Sequence, residues 1–519
     1  MRFSRTISLR ISWTMLITQN RHANLKNYLF IGFICFTLLL VCLCILKQNS
    51  SWLKYIGLTF LMGIVVLLGI NFCSVSFRSG KFDLTEIPIW ISLWTLGIFV
   101  PFGLFGYGID IVPTFHRTSW LADGLWIPII GLAGMWLGYK LGWILSGTKK
   151  EHPIQKLKLG FKLSEPKLIT TVAFFCIISL IRIWIIHKIG IAYKWNMASL
   201  GAYEAWNQWL ILVKSLNYLI LAITIFQVFR KRWPSYLFII MTAIELAFIF
   251  ISGFKGTIID LFVLFYAGLY YSTEDMEVFR RSFLKLAIFT ATAAIIFIPA
   301  GEMLRTAINA KLINIHSGKS IATNSVIIFH KFKTKKFSIL FKLIRLKLLD
   351  DFSAMTEGWG IFIHATPSRI PYWGVKSLLA TPIYLIPRIL WSNKPNLSTG
   401  FKVAIEYMGA LPQEKTSVAA TIFGDLYLHA GFLAVFLGMI IFGVISAFLY
   451  RIFIFHYPHE ERMLILPLYI TVIALTIFDV EGTFIGVIDG MIQQFIFFGL
   501  FFLLLHWTPL KQSAGINSE

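Results

Sequence analysis

Three cations stand where their neighbours in the chain would restrain them, and a fourth emerges at the end of an apolar run. Arg388 follows Pro387 and Lys394 precedes Pro395 in YLIPRILWSNKPNLSTG (384–400), so both lie on stiff, locally extended backbone. Trp391 lies between them, placed to stack on a sugar ring or to pack internally. Lys255 occupies the tip of ISGFKGTIID (251–260), where Gly253 and Gly256 permit a tight reversal. A cation beside the free amides of a following helix is a natural anion receptor, although the same pattern also suits an ordinary helical hairpin. Arg305, in GEMLRTAINAK (301–311), is the fourth. Arginine recognises phosphate with two parallel donors and lysine adds a compact charge, so the chemistry suggested is the holding of a phosphate.

Proton transfer needs a base. Asp425, Asp351 and Glu357 are the carboxylates available to such a set, with His429 as a further nitrogen base. A metal centre is not expected. The chain has no Asp-X-Asp, and Asp479-Val480-Glu481 is the only comparable pair placed on the same side, whereas a hard cation wants several oxygen ligands. No HExxH motif, phosphate-binding Walker loop or Cys-rich zinc site occurs, and no cofactor is expected.

These groups have to be positioned by an unusually apolar chain. Of its 519 residues 57% are hydrophobic and 14% are charged, where a soluble globular protein carries about 25% charged residues. Apolar content excludes a disordered chain. Repeated runs long enough to cross a hydrocarbon core about 30 Å thick exclude a soluble enzyme. Spans are expected near 28–46, 52–73, 87–107, 125–146, 167–187, 209–229, 235–252, 257–271, 282–304, 425–450, 462–480 and 484–506. The expected fold is therefore an all-α polytopic membrane protein of about twelve transmembrane helices.

The net charge of +22 follows from that class, because cytoplasmic loops are enriched in Lys and Arg, and it does not imply nucleic acid. Short segments of one parity carry 21 Lys and Arg, counting span edges, against 5 for the other. This places both termini in the cytoplasm. The organisation expected is a basic tail (1–27), spans one to nine (28–304), an extracytoplasmic loop domain (305–424), spans ten to twelve (425–506) and a second cytoplasmic tail (507–519). The loop domain holds 16 Lys and Arg against 5 Asp and Glu, but loops this long escape the charge rule. Its aromatic residues, among them Trp359, Tyr372, Trp373 and Trp391, mark it as ordered, and 329–349 reads as a basic amphipathic helix suited to a membrane surface or to a solvated face. Lys54, Arg182, Lys214, Glu245, Asp260 and Asp489 fall within spans, where ionisable groups are costly and mark either functional paths or structural pairs. The five cysteines all lie in apolar runs and read as small core hydrophobes.

Several of these stretches together resemble the Wzy-type oligosaccharide repeat-unit polymerases, or O-antigen polymerases. IPRILWSNKP is similar to the signature "fiPR-lWp-KP" of that family, and HATPSRIPYWG (364–374) to its "-tP---pY--G" stretch. GDLYLHAGFLAVFLGMIIFG (424–443) resembles "gE-Y-nfG--G---gm---G", and SGFKG stands in the place of a "tGsRg"-like hairpin. The likeness extends from about residue 240 to 450, with Lys255 where arginine is usual and Asp425 where glutamate is usual. It implies a GT-C-like glycosyltransferase that joins glycan repeat units carried on undecaprenyl pyrophosphate, at the outer leaflet of the cytoplasmic membrane. O-antigen, capsule or exopolysaccharide would be the product. On this resemblance Arg388, Arg305 and Asp425 are the expected catalytic residues, and Lys255, Lys394, Trp391 and Tyr372 bind pyrophosphate or glycan. Donor and acceptor lipid-linked glycans, membrane lipids, a chain-length regulator and a flippase are the expected partners. A ligase moving finished glycan to another acceptor, and a lipid-linked oligosaccharide flippase, are the competing readings.

Overall fold

A chain inside hydrocarbon has no water to satisfy its amides, so each span must close its hydrogen bonds internally, as a helix does. In the computed structural model the described residues are 50–78, 83–99, 118–146, 166–189, 200–252, 257–273, 277–290, 292–293, 355–375, 391, 399–411, 418–455, 459–477 and 482–506. Every regular element among them is helical. In chain order these are α1 (Ser50–Phe72), α2 (Val75–Arg78), α3 (Ile87–Trp94), α4 (Thr118–Gly124), α5 (Trp126–Leu145), α6 (Leu168–Ile189), α7 (Leu200–Phe229), α8 (Ser235–Ser252) and α9 (Thr257–Ser272). There follow α10 (277–290), α11 (355–365), α12 (Thr399–Met408), α13 (Thr421–Tyr450), α14 (His459–Ile477) and α15 (Phe484–His506). Among the described residues six segments are long and apolar enough to cross a bilayer, namely Leu53–Phe72, Trp120–Leu145, Leu168–Ile186, Leu212–Phe229, Thr421–Phe455 and Phe484–Phe501. The chain is a helical membrane protein. The expected first span, 28–46, lies outside the described residues, as does most of the ninth.

Helices α5 and α13 form the spine, and small residues are the reason. Gly131, Gly134, Gly138 and Gly142 recur along one face of α5. A Cβ on Gly134 would lie 2.6 Å from the carbonyl oxygen of Phe436, and one on Gly138 would overlap the carbonyl of Ile440. Gly443 makes the reciprocal approach to Met135. Without a hydrophobic force between helices in lipid, such close backbone contact is what gains dispersion energy.

The bundle has two distinct ends. One gathers Lys54, Asp123, α11 and the starts of α13 and α15. The other gathers Phe72, residues 74–78 and 83–86, Ser146, Tyr271, Tyr450 and Arg451. At this second end two buried acids tie the helix termini together. Glu86 accepts from Ser74 Oγ at 2.9 Å, from the amides of Val75 (3.0 Å) and Ser76 (3.2 Å), and from Ser76 Oγ. Asp83 accepts from Thr85 Oγ1 (2.7 Å), Tyr450 Oη (2.8 Å) and Tyr271 Oη. Burial pushes both carboxyls above the usual carboxylate range, partly offset by these donors. The folded form thus binds these protons more tightly than the unfolded chain. Their contribution to stability is therefore fully present below the unfolded carboxylate pKa and is lost as pH rises through the raised folded values. The thermal midpoint in detergent should fall with rising pH over that window, and less steeply in Asp83→Asn; equal slopes would exclude the acid as the cause.

Four of the intramembrane charges pair among themselves. Arg182 on α6 donates from Nη1 to both oxygens of Glu245 on α8, at 2.7 and 3.0 Å, with both side chains almost wholly buried. Asn217 of α7 donates to Glu245 Oε1 (2.9 Å) and to Ser179 Oγ (3.2 Å), and the guanidinium lies 4.0 Å over the Phe248 ring. Lys214, one turn before Asn217, bonds Asp260 of α9 at 3.1 Å. Asp489 is engaged by Gln493 within α15. The pairing alternative offered by the sequence is the one adopted, and it cross-links α6, α7, α8 and α9.

Candidate functional site

Helix α13 is broken near its start. Ala430 (φ −157°, ψ 35°) and Gly431 (φ 69°, ψ −157°) leave the helical region, and a positive φ of this kind is one that glycine adopts without steric cost. A break in a membrane helix frees carbonyls that must find new donors. The segment 371–375 supplies them. Trp373 N donates to Leu428 O at 2.9 Å and Gly374 N to His429 O at 3.0 Å. Tyr372 packs against the gap, since a Cβ on Gly431 would meet its hydroxyl at 2.8 Å. The two stretches HATPSRIPYWG and GDLYLHAGFL, separate in sequence, are therefore stitched together through their backbones.

Beneath the break, Asp425 is fully buried. Its Oδ2 accepts from the amide of Phe484 at 2.9 Å, at the start of α15, where the helix dipole favours an anion. Its Oδ1 lies 3.6 Å from His429 Nε2, one turn along α13, while His429 Nδ1 is 3.2 Å from the Gly374 carbonyl. Asp425 thus holds the start of α15 and faces an imidazole that is itself fixed by the 371–375 segment.

Around this junction α12 adds a polar and aromatic rim. Glu406 accepts from Trp373 Nε1 at 2.9 Å, Lys402 lies 4.3 Å over the same indole, and Tyr407 Oη is 2.7 Å from Thr366 Oγ1. Partial burial pushes the Tyr407 hydroxyl up from its ordinary value. Tyr372, 37% exposed, remains reachable from outside.

The chain belongs to the family described as Domain of unknown function (DUF8712), which matches residues 174–452. No curated protein and no solved structure matches it. The DUF8712 region contains the broken helix, the segment docked on it and both intramembrane ion pairs. It does not contain α1 to α5, against which its next feature is built.

That feature is a clamped imidazole at the same end. Gly124, closing α4, and Gly360 of α11 allow the two helices to meet backbone to backbone, for a Cβ on Gly124 would lie 2.6 Å from Gly360 N. Trp359 Nε1 donates to Thr421 Oγ1 at 2.8 Å and anchors α11 on the start of α13. The approach delivers His364, at the end of α11, to Asp123. His364 Nε2 lies 2.9 Å from Asp123 Oδ2, Lys54 Nζ bonds Asp123 Oδ1, and the Trp120 indole stacks on the imidazole with centroids 4.7 Å apart and planes at 15°. The His364 and Asp123 side chains are 33% and 23% exposed. An imidazole held on one edge by a carboxylate and on one face by an indole is arranged for proton transfer.

Of the residues singled out in the sequence, Asp425, Tyr372 and His429 are brought together at the break. Glu357 is half-buried on α11, and Trp391 is 37% exposed. Lys255, Arg305, Arg388, Lys394, Asp351, Asp479, Glu481 and the basic stretch 329–349 lie outside the described residues. Among the described residues no group of three or more His, Cys, Asp or Glu converges on a point. Sequence reasoning missed Asp123 and His364, which are 241 residues apart. His364 does open HATPSRIPYWG, and Lys54 does stand out as a charge at a span end; these were the available signals.

Proposed function

We propose that this protein polymerises lipid-linked glycan repeat units. It would transfer a growing glycan from undecaprenyl pyrophosphate onto the sugar of an incoming repeat unit, at the outer face of the cytoplasmic membrane. In this reading twelve spans place both termini in the cytoplasm, and the end carrying α11, α12 and the break in α13 is extracytoplasmic. The 305–424 loop domain roofs an outward-facing cavity. Arg388, Arg305, Lys255 and Lys394 hold the leaving pyrophosphate, and Trp391 and Tyr372 meet sugar. Preorganised cations in a partly dehydrated site stabilise the charge that develops as the glycosidic C–O bond breaks. No nucleotide sugar, metal or other cofactor is required, because the lipid pyrophosphate is itself the activated donor.

One observation carries the reading. The two segments resembling the upstream stretch and the membrane helix of Wzy-type polymerases are joined directly, by the bonds of Trp373 and Gly374 to the broken helix. An exposed aromatic, Tyr372, stands at that junction, which suits a polymeric sugar better than a small ion.

The test is reconstitution. Purified protein in proteoliposomes, given only lipid-linked repeat units and a chelator, should produce a ladder of longer lipid-linked glycans. Unextended single units would refute the proposal. Extension that appears only with added divalent metal would refute its metal-free part. Transfer of whole chains to a lipid A acceptor, without extension, would identify a ligase instead.

A further inference from the structure

We infer that His364 is the general base for this transfer, with Asp123 as its positioning residue and Lys54 fixing Asp123; the inference rests on the polymerase reading and assigns a residue that reading leaves open. The acceptor hydroxyl has to lose a proton as its oxygen bonds to C1 of the donor sugar. In the same step the bond from C1 to the phosphate oxygen breaks, and its electron pair leaves with undecaprenyl pyrophosphate. The proton needs a basic atom that faces the outside. Asp425 and His429 are poor places for it, being at most 2% exposed, with one Asp425 oxygen engaged by the start of α15.

His364 meets the requirement through its other nitrogen. Asp123 accepts only from a nitrogen that carries hydrogen, so the contact at Nε2 holds the neutral ring in the tautomer with its lone pair on Nδ1. Nδ1 has no hydrogen-bond partner among the described residues. Trp120 covers one ring face and stops the ring from turning. Among the described residues the charged groups at this unit are Asp123 on α4, which meets the imidazole, and Lys54 on α1, which meets Asp123, and they oppose each other electrostatically. The hydroxyl proton passes to Nδ1, the imidazolium is stabilised by Asp123, and the proton is then released to water.

The assay uses the full-length protein in proteoliposomes, with lipid-linked repeat units prepared from cells lacking this gene, and follows the initial rate of chain extension against pH. His364→Gln should slow extension by about 10²–10⁴-fold, the usual yield of a general base, with KM for the lipid-linked substrate unchanged. Asp123→Asn removes a negative charge and should move the acid limb of the rate profile to lower pH. Lys54→Met removes a positive charge and should move it to higher pH, a pair of opposite shifts that a purely structural role would not produce. Each variant is first checked for monodisperse elution in detergent; if Asp123→Asn does not fold, the shift in Lys54→Met decides the point. Chain extension by His364→Gln at the wild-type rate, a change confined to KM, or an acid limb unmoved in the folded charge variants would overturn the assignment while leaving polymerisation intact. Failure of the wild-type protein to extend chains would overturn the polymerase reading and this inference with it.

Discussion

Gly138→Leu should leave almost no folded protein. The Cβ alone would overlap the carbonyl oxygen of Ile440, and that oxygen belongs to the backbone of α13, so no change of rotamer can relieve the clash. The helices must separate. Separation loses close contact along the spine, because Gly134 and Gly142 on one helix and Gly443 on the other also face backbone carbonyls of the partner, and Gly131 faces the Phe423 ring. Overpacking of a well-filled core costs about 1–3 kcal/mol and occasionally more, and a rigid obstacle at the tightest contact belongs at or above the upper end. Fluorescence-detected size-exclusion chromatography should show monodisperse protein lost in Gly138→Leu and retained in Gly57→Leu, where nothing lies within 4 Å of the added carbon. Equal yields of the two would show that α5 and α13 do not pack in this way.

Arg182→Met should be nearly as damaging, for an electrostatic reason. It removes the only cation given contact with Glu245 among the described residues and leaves a fully buried carboxylate to Asn217 alone. Breaking a buried pair from one side costs about 3–5 kcal/mol, whereas replacing both partners with apolar groups is often neutral or better. The thermal midpoint should therefore fall sharply in Arg182→Met and recover most of the loss in Arg182→Met/Glu245→Leu. A double variant no more stable than the single one would show that the stranded carboxylate is not the source of the loss. Because the pair links α6 to α8, the loss should be felt first between those helices.

Much of the architecture was legible because the bilayer imposes a long, simple pattern. The span expected at 125–146 is α5, Trp126–Leu145, and that expected at 484–506 is α15, Phe484–His506. Helix α7 begins at Leu200, earlier than the expected 209, since Tyr203, Glu204 and Asn207 continue the helix without belonging to an apolar run. The span expected at 425–450 begins at Thr421 and contains the break at Ala430 and Gly431. Glycine at 431 permits such a break but does not require it. Whether a helix opens there depends on donors arriving from elsewhere, here Trp373 and Gly374.

Sequence alone determined the class of this protein, a chain of membrane helices. It did so because run length and charge depletion are properties of single segments in a uniform solvent. It also determined which residue types were costly enough to need an explanation, Arg182, Glu245, Lys214 and Asp260 among them. Only the tertiary structure decided who answers whom. The partners of Asp123 lie 69 and 241 residues away, and the distance between two helices is set by which small residues face each other across the whole bundle. A local pattern carries no information about that choice, because the free energy that decides it is gained only when the helices have already met.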